Sequence, residues 1–187
     1  RAALVHYQFE TAHPFLDGNG RLGRLLITLM LINDGVLHSC LFYPSFQFKK
    51  NRSEYYRQLT SVRERGTYEE WIEFFCASLL ESAKDSVGSL KSLVDLHNRS
   101  TAAITENLGR TAANGQRLLS LLEEHPILDT AFIAARLDIG RSTASSLVKS
   151  FEELGILRPL DESRQRYRQY GYEEYLSILR EDAEPIR

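Results

Sequence analysis

The chain has 187 residues, of which 43% are hydrophobic and 26% charged, and its formal net charge is −2. This composition is that of an ordinary globular protein and argues against one that coats nucleic acid through bulk positive charge. The longest apolar run, Leu25 to Ile32, is interrupted by Thr28 and is far shorter than the roughly 20 residues a membrane span needs. No signal peptide is visible, and Cys40 and Cys76 lack metal-type spacing, so we expect a cytoplasmic protein with reduced thiols.

The first half of the sequence predicts helices almost throughout. Residues 1–12 are helical and stop before His13, because Pro14 disfavours helical geometry at the preceding residue. A strongly apolar helix follows over residues 21–33, with Gly35 as its C-cap.

Further along, the pattern predicts an irregular stretch at residues 37–50 and a helix at 53–65. An amphipathic helix spans residues 68–83, and helix continues over 90–108 after a kink or break at Gly88.

A phosphate-binding turn is predicted between the first two helices, where residues 13–24 read His-Pro-Phe-Leu-Asp-Gly-Asn-Gly-Arg-Leu-Gly-Arg. Unpaired N–H groups at a helix start carry partial positive charge, and glycines let the backbone approach an anion closely. Arg21 and Arg24, three residues apart, can neutralise further phosphate oxygens. Asp17 suits Mg²⁺, which takes few protein carboxylates and completes its shell with phosphate and water. Each residue alone has an ordinary structural explanation, but their combination within twelve residues indicates a site.

This segment resembles the signature of the Fic family, His-x-Phe-x-Asp/Glu-Gly-Asn-Gly-Arg-x-x-Arg, at all eight specified positions. The resemblance covers residues 1–85 and identifies the chain as an adenylyltransferase-type Fic/Doc protein. We expect it to be N-terminally truncated, because the upstream helices and target-docking hairpin of the family are not found. The family's inhibitory pattern, Ser/Thr-x-x-x-Glu-Gly/Asn, is also not found, which leaves self-regulation open.

The resemblance implies transfer of AMP from ATP to a hydroxyl side chain of a target protein. His13 would be the general base, and Asp17 would hold Mg²⁺. The implied nucleotide-binding residues are Gly18, Asn19, Gly20, Arg21, Arg24, Tyr55 and Tyr56. The two tyrosines fit core aromatics equally well. Arg63 stands where some relatives carry an Asn that meets the base, so another nucleotide stays open.

The C-terminal part has a different pattern. Residues 127–137 predict a helix, 138–140 a tight turn and 142–154 a second helix, followed by a strand starting at 155–157 and a returning strand at 164–170. This order resembles a winged helix-turn-helix of the kind often appended to Fic cores. The resemblance implies the following DNA contacts: Arg141, Ser142, Thr143, Ser145, Ser146 and Lys149 on the helix, and Arg158, Arg164, Arg166 and Arg168 on the wing.

The predicted fold class is mainly α. A Fic-type helical core at residues 1–110 precedes a winged helix-turn-helix domain with a small β-wing at residues 111–187, divided within the small, polar stretch 109–115. Because residues 115–187 hold 10 Lys/Arg and 13 Asp/Glu, a net charge of −3, an interaction or dimerisation module of the same fold is the alternative to a DNA binder.

The alternatives to AMP transfer are a nucleotide-responsive winged-helix transcription regulator and a Fic enzyme that transfers or removes another phosphate-containing group. The expected cofactor is Mg²⁺ and the expected partners are ATP and a target protein. Contact with DNA is weakly supported, no membrane contact is expected, and a homodimer stays open.

Overall fold

The computed structural model describes residues 1–38, 42–161 and 168–181. The fold is mainly α with a small three-stranded sheet, as the sequence predicts. The described chain forms two compact units, residues 1–88 and residues 89–181. Within these ranges, no helix is both long enough and apolar enough to cross a bilayer.

The helices, in chain order, are α1 (Ala2–Ala12), α2 (Asn19–Asn33), α3 (Ser45–Lys50), α4 (Arg52–Arg65), α5 (Tyr68–Asn107), α6 (Ala112–Glu124), α7 (Thr130–Leu137), α8 (Arg141–Glu153) and α9 (Glu173–Glu181). A 3-10 turn at Gly109–Thr111 precedes α6. The strands are β1 (Ile127–Asp129), β2 (Arg158–Pro159) and β3 (Gln169–Gly171).

The core of the first unit is aromatic. Trp71 is fully buried, and its ring centroid lies 6.0 Å from that of Tyr55 and 5.7 Å from that of Phe75. Phe48 packs in turn against Tyr55 and Phe75, at 5.3 and 5.7 Å. The indole N–H of Trp71 donates to the carbonyl of Ala3 at 2.9 Å, which ties α5 to the start of α1. Burying aromatic rings of this size is a large stabilising contribution, and it fixes α1, whose C-terminal end leads into the glycine-rich turn.

Two local predictions for this half differ from the structure. No helix ends at Gly88, because α5 runs without interruption from Tyr68 to Asn107. A single exposed glycine costs a long helix only about 1 kcal/mol, which the flanking turns readily offset. The stretch predicted as irregular contains the short helix α3, which begins directly after Pro44.

The second unit contains the helix-turn-helix pair α7 and α8 beside the sheet, whose strand order is β1-β3-β2 with antiparallel pairing. Residues 127–129 form β1 and not the first turn of a helix, because they pair with β3. Asp129 ends the strand and caps α7, its carboxylate accepting the N–H of Phe132 at 2.7 Å. Of the returning strand predicted at 164–170, residues 164–167 lie outside the described residues.

Gly115 permits close packing of α6 on the C-terminal part of α5. A Cβ built there would lie 2.7 Å from Ile104 Cγ2 and 2.9 Å from Leu108 Cδ2. Gly115→Ala is therefore expected to lower the free energy of unfolding by about 1–3 kcal/mol. The matched variant Gly88→Ala has no atom within 4 Å of its new methyl group and is expected to gain about 0.5–1 kcal/mol. Urea unfolding followed by circular dichroism compares them, and equal stabilisation by both substitutions would contradict the packing.

Candidate phosphate-binding site

The turn between α1 and α2 is held closed by Asn19. This side chain is 2% exposed; its Oδ1 accepts the N–H of Phe15 at 2.9 Å, and its Nδ2 donates to the carbonyl of Phe15 at 2.6 Å. The amide thus pairs with the backbone as another peptide group would. Its side chain is occupied inside the turn, and the group that Asn19 can offer to a ligand is its backbone N–H.

The start of α2 carries no side-chain cap. Gly18 precedes it at φ 82°, a left-handed conformation that disfavours any residue with a Cβ. The N–H of Gly18 already donates to Asp17 Oδ1 at 2.6 Å. Because the first N–H groups of a helix have no acceptor within it, the amides of Asn19, Gly20 and Arg21 are the ones left to bind an anion.

Two arginines flank these amides. Arg21 is exposed and forms an ion pair with Asp17 at 3.4 Å. Arg24 is half-buried and donates from Nε to Ser45 Oγ at 3.3 Å. A Cβ at Gly20 would lie 3.1 Å from Arg24 Nη1, so this glycine lets the guanidinium lie against the helix start. The arrangement places positive charge beside the uncapped amides.

His13 ends α1 in a left-handed conformation, with φ 43° and ψ 55°. Its backbone N–H donates to the carbonyl of Phe9 at 3.0 Å, while its exposed imidazole has no hydrogen-bond partner among the described residues. Left-handed geometry is unfavourable for a residue with a side chain, and Pro14 rules out continuing the helix. The backbone at this point is strained, as it often is in functional turns.

Behind the turn, a buried histidine that the sequence did not single out connects α1, α2 and α4. His6 is 1% exposed; its Nδ1 lies 2.9 Å from the carbonyl of Gly23, and its Nε2 lies 2.9 Å from the hydroxyl of Tyr55. A carbonyl only accepts, so Nδ1 donates to Gly23 and Nε2 accepts from Tyr55. Burial lowers the pKa of His6 to about 4, which keeps the ring neutral at physiological pH.

The two tyrosines of α4 differ in environment. Tyr55 is 4% exposed, burial raises the pKa of its hydroxyl, and that hydroxyl is bonded to His6. Tyr56 is 53% exposed, and the Arg52 guanidinium lies 5.6 Å from its ring centroid. Tyr56 is therefore the one of the two that presents its ring to a ligand from solvent.

Asp17 is the carboxylate that lies beside the phosphate-binding turn. Its carboxylate is exposed and bonded only within the turn, to the N–H of Gly18 and to Arg21. No cluster of three His, Cys, Asp or Glu side chains capable of holding a metal occurs in residues 1–38, 42–161 or 168–181. One carboxylate beside a phosphate site suits an ion held mainly by phosphate and water.

The residues predicted to contact DNA are distributed over α8 and the wing. Those on α8 that are exposed include Arg141, Ser142, Thr143, Ser145, Ser146 and Lys149. Lys149 lies 3.8 Å from Glu153 in an ion pair. Arg158 is exposed on β2 and Arg168 is half-buried before β3, while Arg164 and Arg166 lie outside the described residues.

Comparison with known families bears on both halves of the chain. Residues 1–31 match the sequence model of the Fic/DOC family, and this range contains the whole segment 13–24. Residues 111–161 match the IclR helix-turn-helix domain, which agrees with α7, α8 and the start of the wing.

The chain is also similar to curated proteins. It is 33% identical over 95 residues to "Protein adenylyltransferase fic-1" of Caenorhabditis elegans, covering 51% of this chain and 17% of that protein. It is 38% identical over 73 residues to "Protein adenylyltransferase Fic" of Drosophila grimshawi, covering 39% of this chain and 14% of that protein. The chain thus spans less than a fifth of the length of these relatives.

Replacing Asn19 with alanine tests whether its side chain stabilises the turn. Asn19→Ala leaves both backbone groups of Phe15 without their partner, and we expect the free energy of unfolding to fall by about 1–3 kcal/mol. Asn33→Ala, at the exposed end of the same helix, is the matched control and should change it by no more than about 0.5 kcal/mol. Thermal unfolding of both variants makes the comparison. An Asn19→Ala variant as stable as wild type would show that the two hydrogen bonds to Phe15 do not stabilise the fold.

Proposed function

We propose that the chain is the phosphate-binding and catalytic part of a protein adenylyltransferase, which transfers AMP from ATP to a hydroxyl group of a target protein. The observation that carries the proposal is the turn itself. His13, an exposed imidazole that makes no hydrogen bond to the part of the chain that the structure describes, stands six residues before an uncapped helix start whose glycines leave room for an anion. The similarity to proteins named adenylyltransferases supports AMP as the transferred group.

In this proposal the amides of Asn19, Gly20 and Arg21 bind phosphate oxygens, and the guanidinium groups of Arg21 and Arg24 neutralise the outer phosphates. A helix start and two arginines stabilise the charge that develops as the bond to the leaving pyrophosphate breaks. Most of the rate acceleration then comes from positioning and charge stabilisation, as phosphoryl-type transfers generally require.

His13 accepts the proton of the target hydroxyl while the oxygen of that hydroxyl attacks the α-phosphate. The ring suits this step because it is exposed and its nitrogens are not engaged with the described residues. Asp17 would hold Mg²⁺, which would supply charge neutralisation at the phosphates.

Tyr56 is the residue we assign to the nucleobase, since a ring exposed on α4 can stack on a base. Tyr55 would act indirectly, by holding His6 and the first turn of α2. Arg63 is exposed on the same helix, and a nucleotide other than ATP remains the alternative donor within this enzyme class.

Labelled ATP tests the proposal. Incubating the full chain with Mg²⁺, candidate acceptor protein and either α- or γ-labelled ATP should give protein-bound label from the α position alone. Label from the γ position would indicate phosphate transfer. Absence of any label from α-labelled ATP, with a nucleotide shown to be bound, would contradict AMP transfer.

A second candidate function is DNA binding by the C-terminal unit. The observation that favours it is an exposed α8 face rich in hydroxyl and basic side chains, within a segment that matches a helix-turn-helix domain. The net charge of −3 over residues 115–187 works against it. Binding to a random-sequence DNA library at several salt concentrations tests the proposal. Arg141→Ala should weaken a specific complex, and absence of enrichment at low salt would exclude DNA as the ligand.

A further inference from the structure

Glu10 is a half-buried residue next to the phosphate-binding turn that the proposed reaction does not use. One of its carboxyl oxygens, Oε1, is inaccessible to solvent and has no hydrogen-bond partner within the described residues. It lies against the backbone of Gly23, since a Cβ built at that position would overlap it. The same Cβ would lie 3.2 Å from the His6 ring and 3.2 Å from Phe9. The Oε1 oxygen is thus enclosed between α1 and the first turns of α2.

The charged and titratable groups around Glu10 come from three helices. They are His6 and His13 on α1, Arg24 on α2 and Tyr55 on α4. Burial raises the pKa of Glu10 above its usual value, and the positive charges of Arg24 and then of His13 oppose that rise. His6 is neutral, so it contributes no charge at physiological pH. Arg24 is therefore the main group that favours the ionised form.

We propose that Glu10 is a positioning residue of the phosphate site, which takes up a proton from solvent when a polyphosphate occupies the turn and thereby leaves Arg24 to the ligand. The inference rests on the proposed function for the existence of a phosphate ligand. It goes further in two ways. It assigns a residue outside the segment 13–24 to the site, and it predicts that binding of the polyphosphate is accompanied by uptake of a proton.

The physical reason is competition for the charge of Arg24. In the free protein the guanidinium is bonded to the neutral Ser45 hydroxyl, and its field supports the Glu10 carboxylate across the turn. Phosphate bound at the α2 amides neutralises that field and adds negative charge of its own. A carboxylate with one buried oxygen and no hydrogen-bond donor to that oxygen then becomes less favourable and binds a proton. Affinity for the anion consequently falls as pH rises through the range where free Glu10 ionises.

Binding of inorganic tripolyphosphate to the full chain tests this without any turnover. Titration calorimetry at a series of pH values from 5 to 8.5 should show the difference in affinity between wild type and Glu10→Gln becoming smaller as pH falls. At pH 8.5 the variant should bind about fivefold more tightly, because one negative charge near the site is gone. Protonation of the ligand is common to both proteins and cancels in the comparison. Glu73→Gln, an exposed substitution on α5, should follow wild type throughout.

The outcomes separate the two proposals. No binding by wild type, or equal binding by a variant lacking Arg24, overturns the phosphate site and this inference with it. Binding with the same pH dependence in wild type and Glu10→Gln overturns the role of Glu10 alone. If Glu10→Gln fails to fold, carbon-13 spectra of glutamate-labelled wild type decide. A buried side-chain carboxyl resonance that titrates at higher pH with tripolyphosphate than without it supports the inference, and an unchanged titration overturns it.

Discussion

Replacing His13 with alanine is expected to lower the rate of AMP transfer by about two to four orders of magnitude, the usual contribution of a general base. Nucleotide binding should change little, because the phosphate ligands of the proposed site are the α2 amides and the arginines. The fold should also remain, since the His13 imidazole is exposed and contributes no hydrogen bond within the described residues. Single-turnover transfer measured with α-labelled ATP gives the rate, and calorimetry gives the affinity.

His38→Ala is the matched control for this experiment, because His38 is also exposed and lies outside the turn. It should transfer AMP at the wild-type rate. A His13→Ala variant that keeps more than about a tenth of the activity would contradict its assignment as general base.

The largest expected effect on stability comes from His6. Its pKa of about 4 in the folded protein is below the ordinary value of 6.5, so below pH 6.5 the unfolded chain binds more protons than the folded one. Stability from this group is therefore fully present above pH 6.5 and is lost as pH falls towards 4. The shift corresponds to about 3 kcal/mol, and denaturant unfolding at a series of pH values measures it.

His6→Gln isolates this contribution because glutamine can still donate to the Gly23 carbonyl and accept from the Tyr55 hydroxyl. Its free energy of unfolding should change less than that of wild type between pH 6.5 and pH 4, while other titrating groups cancel in the difference. His6→Leu, which leaves both partners unsatisfied, should cost about 3–5 kcal/mol at pH 7. Parallel pH profiles for wild type and His6→Gln would mean that His6 is not held neutral in the fold.

The sequence predicted the turn well because its determinants are local. Pro14 stops α1, Gly18 adopts a positive φ, and the charges of Asp17 and Arg21 come from residues four apart. What determines the placement of Arg24 is less local, since its partner Ser45 lies 21 residues away. Nothing in residues 13–24 specifies that contact.

The sequence did not settle the side chains whose roles depend on burial. Asn19 was expected to bind phosphate, and Tyr55 to line the nucleotide pocket or to belong to the core. The Asn19 side chain closes its own turn, and Tyr55 bonds to His6 in the core. His6 and Glu10 drew no prediction, because a helical pattern does not show which polar side chain another helix will enclose. The pairing of Ile127 with Gly171 likewise overrides a helical pattern through a partner 44 positions away.

The most direct test of the account is to observe which backbone amides bind the phosphates. Nitrogen-15 spectra of the full chain, recorded as Mg²⁺ and ATP are added, should show the largest shifts at Asn19, Gly20 and Arg21. The resonances of amides on the exposed face of α8 should not shift. Resonances of residues 19–21 that do not move at saturating nucleotide would contradict the assignment of the α2 start as the phosphate site.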